Sequence, residues 1–274
     1  MKIKSFFSVL FIVSFFFAEN LFAQQQKDNF TPSYITYTKL YSTTADVDLA
    51  DWIGFEQEFF DKVTNKIDLI VSHEILVNYD KNDQNEVILI NVYKSWNDIE
   101  KAREIRKELI EKAWPSKDAR YAFFEKHNKH FDYYYSNQVF ISTRMAKSIK
   151  KENQEKQKTP LVYYIIENKL ADYEYDDSLE AYKKYINNVT YKNPFIKAYL
   201  TYKHYIGPDS RDFIQAYVVE SYADLQKSLD KDRELLEKLI PNKEEREAFV
   251  EIYNEGVLNI SGTGIYTNIP SMSK

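Results

Sequence analysis

The sequence predicts an α+β fold in which one βαββαβ unit occurs twice along the chain. The first observation is an internal repeat, because residues 91–143 align without a gap with residues 217–269 at a constant offset of 126. The second is that both copies alternate strand-like and helix-like patterns in the same order. Identical positions in the two copies include Ser95/Ser221, Asp98/Asp224, Pro115/Pro241 and Arg120/Arg246. Two units of domain size, rather than a solenoid of short repeats, follow from this pattern.

Hydrophobic periodicity predicts the elements of each copy. In the first copy, alternation and β-branched residues predict strands at 34–41, 69–79, 86–94 and 133–143. Apolar residues at spacings of three and four predict a helix over 49–63, in which Glu56 is the one polar interruption of the apolar face. The second copy repeats the plan with strands at 161–166, 195–206, 212–220 and 258–269. With two later helices in each copy, the order is that of a ferredoxin-like unit.

The second helix of each copy has matching start and stop signals. Ser95 and Ser221 are predicted N-caps, and each is followed three residues later by an aspartate, as in a capping box. Each helix is predicted to end before a proline, Pro115 or Pro241. We therefore divide the chain into repeats at 34–143 and 161–269.

The segments outside the repeats have different characters. Residues 144–160 are polar and basic with almost nothing to bury, which predicts a linker. Residues 1–23 carry Lys2 and Lys4, then a Phe-rich apolar run that ends at Ala23, and they resemble a secretory signal peptide. The run is shorter than the ~20 residues of a spanning helix, so we expect cleavage after Ala23 and a periplasmic or secreted protein without a membrane span. An uncleaved N-terminal anchor is the alternative.

Composition excludes several classes of function. The chain has no cysteine, so disulfides, thiolate metal sites and cysteine nucleophiles are absent. The net charge is −5, and removal of residues 1–23 with two lysines and one glutamate leaves −6, so no nucleic-acid partner is predicted. The 5 glycines form no phosphate-binding loop. Among the four histidines, His127 and His130 are close enough on one helix to share a metal ion, but we favour a solvent-facing helix end, because the second copy keeps no such pair. We therefore predict neither a metal nor a cofactor.

The element order and the motif V-Y-K-S-W-N-D-I-E at 92–100 resemble the dimeric α/β-barrel superfamily, which includes antibiotic-biosynthesis monooxygenase-like and NIPSNAP-like proteins. The motif contains Trp96, which Tyr222 replaces in the second copy. The resemblance implies that the two ferredoxin-like repeats form one pseudo-dimeric barrel within a single chain. It implies no single reaction, since cofactor-free oxygenases, haem enzymes, isomerases and proteins without known catalysis share the fold. For haem, which such barrels bind through a histidine, the residue considered is His204.

Polar residues on the long strands are predicted to line a cavity between the two sheets, because strands buried on both faces would be nearly all apolar. The predicted ligand-binding residues are His73, Asn91, Tyr93, Tyr199, Gln215 and Tyr217. In this assignment Ile88, Ile90 and Val92 face the helices. A one-residue shift in register reverses the two faces and brings Glu74, rather than His73, to the barrel side.

The function expected from these residues is binding, without catalysis, of a small, partly apolar molecule in the barrel or a cleft. The alternatives are a cofactor-free or haem-dependent oxidoreductase and a structural or protein-binding module. An oxidoreductase needs a deep cavity with a histidine or a carboxylate, whereas a structural module would show a filled barrel and an exposed apolar patch. Predicted site residues that face the helices, or that pack with no void between the sheets, would remove the main support for binding and place the structural module first.

Overall fold

The computed structural model describes residues 30–42, 49–80, 86–146, 159–171 and 176–274. The predicted signal peptide lies outside these ranges, as does most of the predicted linker. No helix in the described ranges is both long enough and apolar enough to cross a membrane.

Strands and helices follow the predicted order in both copies. The first half contains β1 (Tyr34–Tyr41), α1 (Leu49–Lys62), β2 (Ile70–Asn78), β3 (Glu86–Tyr93), α2 (Trp96–Ala113), α3 (Lys117–Asn128) and β4 (Asp132–Ser142). The second half contains β5 (Val162–Leu170), α4 (Asp176–Asn188), β6 (Ala198–Ile206), β7 (Asp212–Val219), α5 (Tyr222–Leu239), α6 (Lys243–Gly256) and β8 (Val257–Asn268). The predicted βαββαβ duplication is confirmed.

The strands close into one barrel in the order β1-β3-β2-β8-β5-β7-β6-β4, with every neighbouring pair antiparallel. The two halves join at two seams, β2 with β8 and β4 with β6. Leu76 pairs with Asn268 at one seam, and the equivalent Tyr202 pairs with Ser142 at the other. The seams are therefore related by the pseudo-twofold symmetry of the repeat, and the predicted pseudo-dimeric barrel within one chain is confirmed.

The start and end of the second helix are built in the same way in both halves. The Ser95 hydroxyl accepts from the backbone N–H of Asp98 at 3.2 Å, and Ser221 repeats this cap at 3.1 Å. After the helix, Arg120 donates to the carbonyl of Trp114 at 2.9 Å, and Arg246 donates to the equivalent carbonyl at 2.8 Å. The caps predicted from sequence are thus present, and the repeated arginine closes the turn at the proline.

The inside of the barrel is packed with apolar side chains from both halves. Its buried cluster includes Ile35, Ile88 and Phe140 of the first half and Ile165 and Ile214 of the second. These residues occupy one alternating face of their strands, so the lumen is a hydrophobic core. A filled lumen removes the support for a ligand between the two sheets.

The outer face of the barrel is covered by helices in two separate layers. In the first half, Tyr93 of β3 packs with Ile99 and Trp114 of the helical region. In the second, Tyr199 of β6 packs with Tyr182 and Ile186 of α4. We call these the first-half layer and the second-half layer, and both contain polar side chains.

Candidate functional site

The six predicted ligand-binding residues do not share a cavity between the sheets. His73, Asn91 and Tyr93 lie in the first-half layer, and Tyr199, Gln215 and Tyr217 lie in the second-half layer. Ile88 and Ile90, which were expected to face the helices, lie in the lumen instead. The predicted orientation was therefore wrong, and the reversed assignment, which the sequence left open, is the one observed. Whether these residues bind a ligand stays a prediction.

The reason for the reversal lies in the side chains that cover the strands. His73 pairs with Asn91 across the hairpin, and Glu74 pairs with Ile90, so the two faces alternate as expected. The helices bring Glu56 and His127 to the first-half layer, where they match the polar face of the sheet. Burial favours the apolar set in the lumen, where each strand faces other strands rather than a helix with matching polar groups.

Glu74 is the polar residue that the reversed assignment brings to the barrel side. Its Oε2 accepts from Asn268 Nδ2 at 3.0 Å and from the Ser273 hydroxyl at 2.8 Å. Burial raises the pKa of Glu74, although both hydrogen bonds act in the opposite direction. The carboxyl group is thus anchored to the C-terminal end of the described chain.

The centre of the first-half layer is a chain of hydrogen bonds that begins at His73. Its Nδ1 donates to Asn91 Oδ1 at 2.8 Å, and Asn91 Nδ2 donates to the Thr36 hydroxyl at 3.4 Å. The Tyr93 hydroxyl is hydrogen-bonded to the side chains of Thr36 and Arg106, and burial raises its pKa. The network therefore connects three strands with the helix α2.

One ring nitrogen of His73 takes no part in this hydrogen-bond network. An amide oxygen can only accept, so Nδ1 carries the proton and Nε2 keeps its lone pair. This Nε2 is buried and has no hydrogen-bond partner among the described residues. The side chain is 3% exposed, its ring stacks on Phe60 at 5.5 Å, and burial lowers its pKa. His73 is therefore a neutral imidazole with an unused acceptor.

A buried acid and a second histidine lie in the same layer. His127 Nε2 is 2.7 Å from Glu56 Oε2, and its Nδ1 lies 2.8 Å from Asn128 Oδ1. Burial alone would lower the pKa of His127, but the hydrogen bond to Glu56 and the negative charge of that carboxylate raise it. The pair favours an imidazolium bound to a carboxylate, in contrast to neutral His73.

Aromatic rings enclose these polar groups. Trp114 stacks on Phe123 with ring centroids 4.0 Å apart, and Phe59 and Phe55 contact Phe123 at 6.4 and 6.2 Å. No group of three or more His, Asp or Glu side chains in the described ranges is arranged to hold a metal ion. The first-half layer thus combines an apolar shell with a small polar interior, which is the composition of many small-molecule sites.

The second-half layer has the same architecture with different chemistry. The hydroxyls of Tyr182 and Tyr199 are 2.7 Å apart, and Gln215 Nε2 donates to the Tyr199 hydroxyl at 2.6 Å. Asn168 Nδ2 in turn donates to Gln215 Oε1 at 2.9 Å, while Asn168 Oδ1 lacks a partner among the described residues. Tyr217 packs beside Tyr199, with ring centroids 4.8 Å apart. Burial raises the pKa of the tyrosines, so the phenols stay protonated.

The two layers are equivalent positions that have diverged. At the offset of 126, the following pairs correspond: Glu56/Tyr182, His73/Tyr199, Asn91/Tyr217, Arg106/Asp232 and His127/Tyr253. The first half therefore holds an acid, two imidazoles, an amide and a guanidinium where the second holds four phenols and one acid. Glu56 and Arg106 were not predicted from the sequence as members of the site, and His127 was considered only as a partner of His130. The polar interruption at Glu56 was the signal that could have identified it.

A haem bound through His204 does not fit this structure. A Cβ added to Gly207 would lie 3.1 Å from His204 Nε2 and 3.2 Å from Gln138 Cγ, so the chain itself closes over that ring nitrogen. The imidazole also lies edge-on to Phe140, with ring centroids 6.4 Å apart. Because His204 Nε2 is buried, a haem iron cannot reach it in this structure, and we derive no chemistry through haem.

A small polar cavity lies at the end of the barrel where β1 and β5 terminate. Its volume is about 250 Å³, which is below the usual range of ligand pockets. Lys39 Nζ is 2.5 Å from Glu167 Oε1, and the Tyr37 hydroxyl donates to the same oxygen at 3.1 Å. These contacts cross between the two halves, so the charged groups at this end hold the barrel closed.

Solved structures with this arrangement have little sequence in common with the chain. A candidate monooxygenase from Fusobacterium nucleatum is 7% identical, with a TM-score of 0.53 over 87% of this chain and 92% of its own. An anthrone oxidase-like protein is 11% identical, with a TM-score of 0.51 over 86% and 91%. A mutant chlorite dismutase from Candidatus Nitrospira defluvii is 13% identical, with a TM-score of 0.50 over 88% and 93%. No protein-family model and no curated protein sequence matches the chain.

These similarities, which span nearly the full chain, define the class of fold. The protein has the dimeric α/β-barrel fold, with both units in one chain, as the element order and the motif around Trp96 had predicted. At this level of identity the similarity establishes the fold alone. The function has to be argued from the residues of this chain.

Proposed function

We propose that the protein binds a small, partly apolar molecule carrying a hydroxyl group in the first-half layer. The observation that carries the proposal is the buried Nε2 of His73, which has no partner among the described residues. Arg106 Nε in the same layer is buried and likewise has no partner among them. A hydroxyl group both donates and accepts, so it suits an acceptor such as His73 and a donor such as Arg106.

The two halves differ at the position of His73. A buried polar atom without a partner costs about 1–3 kcal/mol, a cost that the fold also carries at Asn168 Oδ1 in the second-half layer, so the comparison that bears on a ligand is between equivalent positions. At the position equivalent to His73 the fold avoids this cost, because Tyr199 is hydrogen-bonded to Tyr182 and Gln215. A bound hydroxyl would recover the cost at His73, and the surrounding rings would contact the apolar part of the molecule.

The test uses 2-naphthol, a fused aromatic ring with one hydroxyl, as the probe. We expect binding to the wild-type protein, measured by fluorescence titration, and a Kd about tenfold weaker in His73→Phe, which keeps a planar ring but removes the acceptor. Tyr199→Phe is the matched control, since it removes a polar group at the equivalent position of the other layer. Its Kd should equal that of the wild type.

Two results would contradict the proposal. One is a wild-type protein that does not bind the probe at all. The other is a Kd that changes equally in His73→Phe and Tyr199→Phe, which would show that the loss is not specific to the first-half layer.

An oxidoreductase of monooxygenase type is the second candidate, favoured by the same imidazole. Neutral His73 has the lone pair needed to accept a proton from a bound hydroxyl, which is a role for a general base. Oxygen consumption in the presence of the bound molecule distinguishes this candidate from binding alone. The packed lumen supports a structural role for the barrel itself, and both functional candidates belong to the helix-covered layer.

Export of the protein is also part of the proposal. The apolar run and the small residue at Ala23 support cleavage by a signal peptidase, which would leave Gln24 as the first residue. Intact-mass measurement of the protein from the periplasm or medium of an expressing cell should give the mass of residues 24–274. The full-length mass in a membrane fraction would contradict export with cleavage.

A further inference from the structure

An open groove of about 880 Å³ lies along the seam between β2 and β8. Its walls come from the end of β2, the outer faces of β5 and β8, and the first residue of α5. The groove is distinct from the first-half layer and contains none of the residues proposed to bind the hydroxyl-bearing molecule. Its volume falls within the range of ligand sites.

Tyrosine rings dominate the groove. Tyr79, just after β2, stacks on Tyr222 at the start of α5, with ring centroids 5.2 Å apart and an interplanar angle of 15°. The two residues remain 44% and 41% exposed, so part of each ring is open to solvent. Tyr164 of β5 adds a third ring to the lining. The groove therefore offers flat, partly apolar faces to solvent.

The other seam has the equivalent pair but a different third ring. Tyr205 corresponds to Tyr79 and contacts Trp96, with ring centroids 5.7 Å apart. Tyr34 packs edge-on against Tyr205, with ring centroids 5.2 Å apart, whereas the residue equivalent to Tyr34 in the second copy is Pro160, which has no ring to stack. Tyr205 is 43% exposed, much like Tyr79, but its ring also contacts Tyr34, so it is a matched control that differs from Tyr79 in this added contact.

Polar groups and charge narrow the class of ligand. Asn78, Asp80 and Thr263 supply an amide, a carboxylate and a hydroxyl to the lining. The lining residues that the structure describes include no Lys or Arg, so the groove does not favour phosphates or acidic polymers. Both edges of β8 are already paired, with β2 and β5, so a peptide cannot bind along it as an added strand.

We propose that this groove binds a neutral carbohydrate chain. A pyranose ring has apolar C–H faces that pack on tyrosine rings, and its hydroxyls donate to carboxylates and exchange hydrogen bonds with amides and hydroxyls. Tyr79, Tyr164 and Tyr222 match the first requirement, and the polar lining matches the second. Because the groove is open along the seam, it suits a segment of a polymer rather than an enclosed small molecule.

The test is affinity electrophoresis of the full chain in native gels that contain a soluble neutral polysaccharide. Laminarin, dextran and hydroxyethyl cellulose are the probes, and alginate is the acidic comparison. We expect at least one neutral polysaccharide to retard the wild-type protein, and the dissociation constant to rise about tenfold in Tyr222→Ala and in Tyr79→Ala. Tyr205→Ala should be retarded as strongly as the wild type.

The inference is overturned if no neutral polysaccharide retards the wild-type protein, or if alginate alone does. It is also overturned if Tyr205→Ala loses as much affinity as Tyr79→Ala and Tyr222→Ala. Urea unfolding of each variant identifies loss of folding. If Tyr222→Ala or Tyr79→Ala is unfolded, Asn78→Ala is tested in its place. Retardation of Asn78→Ala as strong as that of the wild type also overturns the inference.

Discussion

Phe140→Ala should lower the free energy of unfolding by about 3–5 kcal/mol, the largest effect that we expect from a single substitution. Phe140 is 0% exposed and lies in the lumen cluster, where its ring contacts Tyr37 edge-on with centroids 5.8 Å apart. Removal of the ring loses the free energy gained by transferring the side chain out of water. It also leaves a cavity that cannot close, because the surrounding strands are fixed by hydrogen bonds on both sides. Urea denaturation monitored by circular dichroism measures the change.

Ile260→Ala is the control for this prediction. Ile260 is also on a barrel strand, but its side chain is 65% exposed, so its replacement should change the free energy by less than about 0.5 kcal/mol. A loss below about 1 kcal/mol in Phe140→Ala would mean that the lumen does not act as a tightly packed core. The space between the sheets would then again be a candidate ligand site.

Glu56→Gln should destabilise the protein by about 1–3 kcal/mol below pH 6.5, where His127 is protonated. The amide cannot balance the charge of the imidazolium, whose side chain is only 16% exposed. The loss should be smaller at higher pH, because a neutral His127 has no charge to balance. The double variant Glu56→Gln/His127→Gln should recover part of the loss, since it removes both charges.

The two histidines of the first-half layer should make opposite contributions to the pH dependence of the free energy of unfolding. The pKa of His127 is raised above 6.5 in the folded state, so its stabilising contribution is complete below pH 6.5 and is lost as pH rises through the folded pKa. The pKa of His73 is lowered, so its contribution is complete above pH 6.5 and is lost as pH falls through the folded pKa.

Unfolding free energies of the wild type, Glu56→Gln and His73→Phe across this pH range separate the two contributions. The decline on the alkaline side should disappear in Glu56→Gln, and the decline on the acid side should shrink in His73→Phe. An alkaline decline that persists in Glu56→Gln would show that the Glu56–His127 contact does not control the protonation of His127.

The fold could be predicted because its determinants are local or repeated. Periodicity of two and of 3.6 identifies strands and helices, Ser95 and Ser221 mark where helices begin, and the offset of 126 shows that one plan is used twice. Once two ferredoxin-like units share one chain, edge strands that would otherwise stay unpaired favour closure into one barrel. Each of these signals can be read within a few residues or by direct comparison of the copies.

The site could be predicted only in part, for a physical reason. Alternation shows that His73 and Asn91 share a face, but it does not show which face the helices cover. That choice depends on contacts between distant residues, such as Glu56 and His127, which are separated by 71 positions. No local pattern encodes such a pair. Two polar faces, one on a helix and one on a sheet, have to be matched to each other before the site can be recognised.

The seam between β2 and β8 also affects how the chain folds while it is being synthesised. Glu74 and Asn268, which meet there, are 194 positions apart, so β2 leaves the ribosome long before its neighbour exists. Until then its edge has unpaired N–H and C=O groups, which are a template for the same strand of another nascent chain. Exchange of β8 between two molecules satisfies both edges without any new contact. We therefore expect a domain-swapped dimer as the characteristic misfolded product of this architecture.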